Sequence, residues 1–451
     1  MPYIHNDEVA RLIKAEYELP DIQNIISLLN QRETLAFSTL DNGLFPAAIV
    51  SDNNEYTGYA AVWVRDNVYV AYCHYILGEV ETALKCVRCL RQYFSKHQHR
   101  FEKIINGEVD PDNVMQRPHV RFNGEDLTEI DQNWQHAQND ALGYFLWFYC
   151  QLISDRLLLP SSEELEILTL LPLYFKAIAY WQDEDSGHWE EDRKVSASSI
   201  GVVVASLQSF RKLFIEHDLI SDYCCSQNRL VTLELLDRLI LKGSNALTEI
   251  LPAECIQSEK ARRYDAALLF LIYPLNVLDD VTSDKPNGRG PQRIIEDVAN
   301  NLQSKYGISR YLNDSFWCRN YTDLPENIRT SISTEREQWL REQGRGLKQG
   351  EEAQWCIFDP ILSAIFGMKF HKTQQTEYLE KQTFYLNRSL GQLTAADSKV
   401  DGFKCPELYY LDRDKYVPND ATPLLWTQAN LRIALTIMEQ SLSLKERKPY
   451  L

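Results

Sequence analysis

The chain has 451 residues, 44% hydrophobic and 25% charged, which allows a large buried core but on length alone permits one domain or several. Its formal charge of −17 argues against a nucleic acid or an anionic membrane as partner, since both are held by clustered Lys and Arg. A neutral or cationic partner is expected, and nine Trp, 24 Tyr and 17 Phe supply rings either for a core or for stacking on the C–H faces of sugars.

In chain order, Met1-Pro2-Tyr3-Ile4-His5 shows no basic start followed by an apolar run, so no secretory signal is read and a cytoplasmic location is expected. No stretch reaches the roughly 18 uninterrupted apolar residues of a membrane span. Apolar residues recur at helical spacing, as in Val80, Ala83, Leu84, Val87 and Leu90. Helices are predicted over about 6–32 (two of them), 59–78, 80–105, 134–157, 163–182, 198–215, 222–242, 260–279, 291–305, 352–369, 374–390 and 423–443. Strand alternation is nearly absent. Consecutive helical hairpins without a heptad repeat must bury their inner faces in a bundle, a solenoid or a closed toroid. With no sequence period of about 34 or 40 residues, the closed form is preferred over an open solenoid.

The intervals 106–126, 183–198, 281–290, 313–350 and 392–422 are polar and rich in Gly and Pro, and several exceed ordinary helix connections, which marks them for function. None reads as an interdomain linker, so 1–451 is taken as a single domain with a motif-bearing core over about 40–440. The charged stretch from Glu335 to Lys348 reads as a solvated insertion, with a mobile lid as the alternative. Ten irregularly spaced cysteines, mostly inside apolar runs, are expected to be reduced core thiols. The lone pair Cys86 and Cys89 has no second pair and no His at ligand spacing, so neither metal nor cofactor is expected.

Two loops combine rings with carboxylates. Gly187-His188-Trp189-Glu190-Glu191-Asp192 places an indole beside paired acids, an environment that raises a carboxyl pKa, and Cys405-Pro406-Glu407-Leu408-Tyr409-Tyr410 sets one acid among a proline and two tyrosines. Such a pair suits glycosidic cleavage, which needs one protonated and one ionised carboxyl. Trp63-Val64-Arg65-Asp66 carries a charged pair inside an apolar run, where an unpaired charge is costly. Trp134 to Asp140 brings amides and a carboxylate to the start of a helix, where Asp140 could instead be an N-cap. Ser309-Arg310-Tyr311-Leu312-Asn313-Asp314 could likewise be an internal Arg–Asp ion pair.

Taken together and in order, these segments resemble the family-15 glycoside hydrolases, the glucoamylases. Within that group, Asn42-Gly43-Leu44-Phe45-Pro46-Ala47 followed by Trp63 to Tyr69 is most similar to the glucoamylase-like N-terminal domain of phosphorylase kinase alpha and beta subunits. The likeness continues through Gln138-Asn139-Asp140, Trp189-Glu190-Glu191, Arg310-Tyr311 with Asp314, Glu352 to Trp355, Glu407, and Pro423 to Ala429.

The resemblance implies an all-α (α/α)6 toroid with a pocket at one end for the terminal glucose of an α-linked glucoside or glucan. It implies Glu190 as general acid and Glu407 as general base of an inverting reaction, about 6.5–9.5 Å apart. Arg65 and Asp66 would clamp the sugar hydroxyls. Trp63, Trp134, Gln138, Asp140, Trp189, Glu191, Arg310, Trp355 and Trp426 would complete the substrate site. Glu190 is expected to be protonated near neutral pH because of Trp189 and Glu191, and Glu407 to be ionised. Pro406 and Leu408 depart from the polar neighbours usual around the base, as the kinase subunits do. The alternative is therefore a non-catalytic glucan-binding regulator with a protein partner.

Overall fold

In the computed structural model the structure describes residues 2–48, 58–226, 231–278, 290–330 and 332–446. The chain alternates outer and inner segments six times, which is the (α/α)6 toroid. The outer segments are Leu19–Gln31, Val80–Lys96, Ser162–Ala177, Leu233–Ile250, Pro291–Asn301 and Thr376–Gly391. The inner ones are Val64–Ile76, Asn139–Ser154, Ala197–Glu216, Ala266–Leu271, Phe358–Thr373 and Leu425–Glu446. Each inner segment packs on the next and the sixth returns to the first, so the ring is closed.

Burial explains which segments lie inside. From Val64 to His74 every residue is buried, and from Asn139 to Ile153 only Gln151 is not, because these helices meet neighbours on all sides. Outer helices such as Val80–Lys96 bury one stripe, from Ala83 to Phe94, and turn Glu81, Lys85 and Arg88 outward. Close contact in the inner ring needs small residues: a Cβ on Gly143 would stand 2.9 Å from Val202 Cγ1 and 3.2 Å from its carbonyl carbon.

Several expectations are corrected. Among the described residues of the helix expected over 260–279, the main regular element is a six-residue 3-10 turn, Ala266–Leu271, begun by Asp265 accepting from the Ala267 N–H at 2.9 Å. Its residues are buried on every face, so apolar density there carried no helical period, and Pro274 lacks the N–H that continuation needs. The segment 80–105 is two helices, breaking at His97 and Gln98 without Gly or Pro. The helix expected over 222–242 is Asp218–Ser226 and Leu233–Ile250. Interval 281–290 falls outside the described residues except Gly290. Two small antiparallel sheets were not foreseen. Val62–Trp63, Arg121–Asn123 and Thr128–Glu129 form one, and Gln354–Trp355, Leu408–Asp412 and Lys415–Pro418 form the other.

Candidate active site

The inner segments begin at one end of the ring, and their first turns carry acids: Asp66, Asp140 and Asp359 in helices, with Asp265 capping the 3-10 turn. Carboxylates are favoured there by the unsatisfied N–H groups and the partial positive charge of helix N-termini. The two small sheets stand at the same end, pairing Trp63 with Arg121 and Trp355 with Leu408, the residue after Glu407. Between them opens a cavity of about 550 Å³. It is lined by Trp63, Arg65, Asp66, Trp134, Trp189, Glu190, Glu191, Arg310, Trp355, Glu407 and Trp426, residues that the sequence scatters over more than 360 positions.

Gln138 and Asp140 do not line it. Asp140 is fully buried behind Arg65, accepting from its Nη1 at 2.7 Å, and Gln138 Oε1 accepts from the same nitrogen at 3.4 Å. The direct substrate contact expected of them is corrected to support of Arg65. Asp140 is not an N-cap either, since Gln138 holds that position. Arg65 gives its other nitrogen, Nη2, to Glu190 Oε1 and lies 5.5 Å from the Trp426 ring centre.

Glu190 follows the short turn Gly187–Trp189 and has left-handed backbone, φ 53°, a conformation uncommon for a non-glycine residue and enriched at functional sites. Burial pushes its carboxyl up to about 8, with Asp66 and Asp140 reinforcing the shift and Arg65 opposing it. Arg65 does not win because its charge is shared with Asp140. Burial likewise raises Asp66 to about 6.

The expected cause, Glu191, is a different kind of group. Although burial alone would raise it, Arg262 at 2.6 Å and Lys194 at 3.4 Å hold Glu191 well below the carboxylate range. Its other oxygen accepts from the Tyr311 and Ser333 hydroxyls. Its acceptor sites are thus committed within the protein, and Glu190 owes its shift to burial and to Asp66 and Asp140.

Glu407 precedes the strand Leu408–Asp412, and its backbone is tied by hydrogen bonds to Cys356 and Ala421. The Tyr59 hydroxyl donates to its Oε1 at 2.6 Å and Asn419 Nδ2 to its Oε2. Burial raises it to about 7 even so, a correction to the expectation of a fully ionised base.

Rings complete the wall. Trp63 and Trp134 meet edge to face at 5.4 Å, and Trp189 lies 5.8 Å from Trp355. The indole N–H of Trp189 is spent on Asp265 at 3.0 Å, whereas those of Trp134, Trp355 and Trp426 have no protein acceptor among the described residues. These nitrogens are buried, so what the rings offer a sugar is their apolar faces. Arg310 forms the ion pair weighed for it, bidentately with Asp314 at 2.6 and 2.7 Å, and it also lines the cavity, 4.9 Å from the centres of Trp355 and Phe316.

Residues that sequence reasoning missed are Tyr59, Asn419, Arg262, Asp265 and Ser333. Each acts by holding a carboxylate or an indole, and none stands in a run that sets it apart. Ser333 lies in the interval 313–350, two residues before the charged stretch read as a solvated insertion. The first part of that stretch continues the helix Ser333–Glu342, whose buried Ser333, Arg336 and Leu340 face the protein, and residues 341–350 are mostly exposed.

The profile of the family described as Glycosyl hydrolases family 15 matches residues 27–419. The probable phosphorylase b kinase regulatory subunit alpha of Caenorhabditis elegans is 25% identical over 447 residues, covering 89% of this chain and 32% of that protein. The chain thus spans about a third of that relative's length. A solved glycosidase variant in complex with glucose superposes with a TM-score of 0.60 at 15% identity, covering 97% of this chain and 98% of that one. The glucoamylase from Saccharomycopsis fibuligera gives 0.56 at 13%, covering 94% and 97%.

Proposed function

The chain belongs to glycosyl hydrolases family 15, and from that premise we propose that it is an inverting, exo-acting hydrolase of an α-glucan or short α-linked oligosaccharide. The observation that carries the reading is the pair of buried carboxyls, Glu190 and Glu407, on one ring-lined cavity, both raised by burial. Glu190, beside Asp66 and Asp140, is read as the acid, and Glu407, which accepts from Tyr59 and Asn419, as the base. Glu190 gives its proton to the glycosidic oxygen as the C1–O bond breaks. Glu407 takes a proton from the water that attacks C1 on the opposite face, so α-glucoside becomes β-glucose. Asp66 and Arg65, which both line the cavity, offer acceptor and donor to the terminal hydroxyls. Trp63, Trp134, Trp355 and Trp426 form the platforms.

A second reading is favoured by the likeness to a phosphorylase b kinase regulatory subunit and by Pro406 and Leu408 beside Glu407. In it the cavity binds glucan without turnover and the acidic surface meets a protein partner. Incubation with maltose, isomaltose, trehalose, kojibiose and glycogen, with glucose release and acarbose binding measured together, separates the two. Release from at least one substrate is expected. Acarbose binding without release favours the regulator, and neither binding nor release overturns both.

A further inference from the structure

The segment after Arg310 walls the mouth of the cavity. Arg329, Thr330 and Ile332 line it half-buried, whereas Arg65 and Asp66 lie deeper, at 3% and 7% exposure. Four arginines line the cavity, and two of them have carboxylate partners: Arg65 with Asp140 and Glu190, Arg310 with Asp314. The other two are oriented by neutral acceptors. Arg329 donates Nε to the Leu324 carbonyl at 2.9 Å and Nη2 to the Thr322 carbonyl at 2.6 Å. Arg336, only 1% exposed, donates Nε to the Ser315 hydroxyl at 3.0 Å and Nη1 to the Thr330 carbonyl.

Carbonyls and hydroxyls fix a guanidinium in place without cancelling its charge. Among the described residues neither Arg329 nor Arg336 forms an ion pair. Asp314 is committed to Arg310, and Glu191 to Arg262 and Lys194; Glu337, the residue after Arg336, lies within its field without forming an ion pair with it. Tyr321, on the same wall, stands in the combined field of Arg336, Arg329 and Arg310. Arg329 and Arg336 are thus two oriented arginines on one wall of the cavity, neither held by an ion pair among the described residues. Holding a buried charge without a counter-ion is costly, so the arrangement suits an anion that arrives with the ligand.

We propose that Arg329 and Arg336 form an anion subsite, so that the preferred substrate is an α-glucoside whose leaving group bears a carboxylate or a phosphate. The proposal rests on the hydrolase reading of Glu190 and Glu407, and extends it to the substrate class. The bond cleaved and the proton transfers are those already given; the anion takes part only in binding.

The test compares matched pairs on the intact protein. Maltobionate and maltitol share an open-chain leaving group and differ in one carboxylate; maltose phosphorylated at O6 of its reducing glucose and maltose itself differ in one phosphate. The expected result is a kcat/KM at least about tenfold higher for the anionic member of one or both pairs, corresponding to about one charge-assisted hydrogen bond. Which pair responds identifies the anion. The ratio should shrink as ionic strength rises, and Arg336→Gln should reduce it toward one. Arg329→Gln, at the half-buried rim, should do the same and covers the case in which the buried variant fails to fold. Turnover of maltitol and maltose with no anionic preference overturns the subsite and leaves the hydrolase reading standing. A preference that survives both substitutions also overturns it. Failure of all four compounds to bind or react overturns the subsite, and the wider panel of linkages given above then decides the hydrolase reading separately.

Discussion

Arg65 bridges Asp140 and Glu190: Nη1 donates to Asp140 at 2.7 Å, Nη2 donates to Glu190, and the arginine is only 3% exposed. One side chain thus ties the first turns of two neighbouring inner helices to the turn that carries the proposed acid. As a sugar clamp alone, Arg65 could become Lys at the expense of binding but not of stability. The bridge changes that expectation. Lysine keeps a charge but cannot serve two carboxylates in one fork, and breaking a buried pair typically costs about 3–5 kcal/mol. Arg65→Lys should therefore lower both acarbose affinity and Tm. Calorimetry beside a binding titration checks this, and an unchanged Tm would mean the two carboxylates do not depend on the fork.

Glu190→Gln removes the proton donor while keeping a side chain that accepts from Arg65. Turnover should fall by about 10²–10⁴-fold with acarbose binding retained. The companion Glu407→Gln should lose activity similarly, and NMR of the first-formed product of the wild type should show β-glucose. α-Glucose as the initial anomer would rule out inversion, and full activity of Glu190→Gln would remove it from the mechanism.

The active form needs Glu190 protonated and Glu407 ionised. With Glu407 raised to about 7 and Glu190 to about 8, that form is populated over a narrow range. The pH profile of kcat/KM should be a narrow bell between those values, its acidic limb set by Glu407 and its alkaline limb by Glu190. Tyr59→Phe deletes a hydrogen bond that stabilises ionised Glu407. It should move the acidic limb to higher pH and leave the alkaline limb in place. A shift of the alkaline limb instead would reassign the two carboxyls.

The raised value of Glu190 also has a folding consequence. A carboxyl whose folded value exceeds its unfolded one binds its proton more tightly in the native protein. Its contribution is full below about 4.5 and is lost as pH rises through about 8. Wild type should therefore lose stability relative to Glu190→Gln across that window, measured by denaturant unfolding of both proteins at a series of pH values. A difference independent of pH would show that Glu190 keeps an ordinary carboxyl value in the fold.

Sequence by itself determined the helical class, most helix positions and the order of the motif segments, because helical spacing of apolar residues is a local property of the chain. It also marked the residues with unusual chemistry for their setting, such as Arg65 and Asp66 inside an apolar run and Trp189 beside two acids. Tertiary structure alone decided what each group does. Glu190 and Glu191 are adjacent and chemically identical, yet one sits among Asp66, Asp140 and a shared arginine and keeps its proton, while the other meets Arg262 and Lys194 and loses it. Those partners lie up to 125 positions away, and electrostatics in a buried site depends on distance through space and on desolvation, neither of which is written in local order. The same holds for the segment around Ser333 and Arg336. Its polar composition reads as solvent-facing, and only closure of the ring brings Ser333 to Glu191 and places Arg336 on the cavity wall.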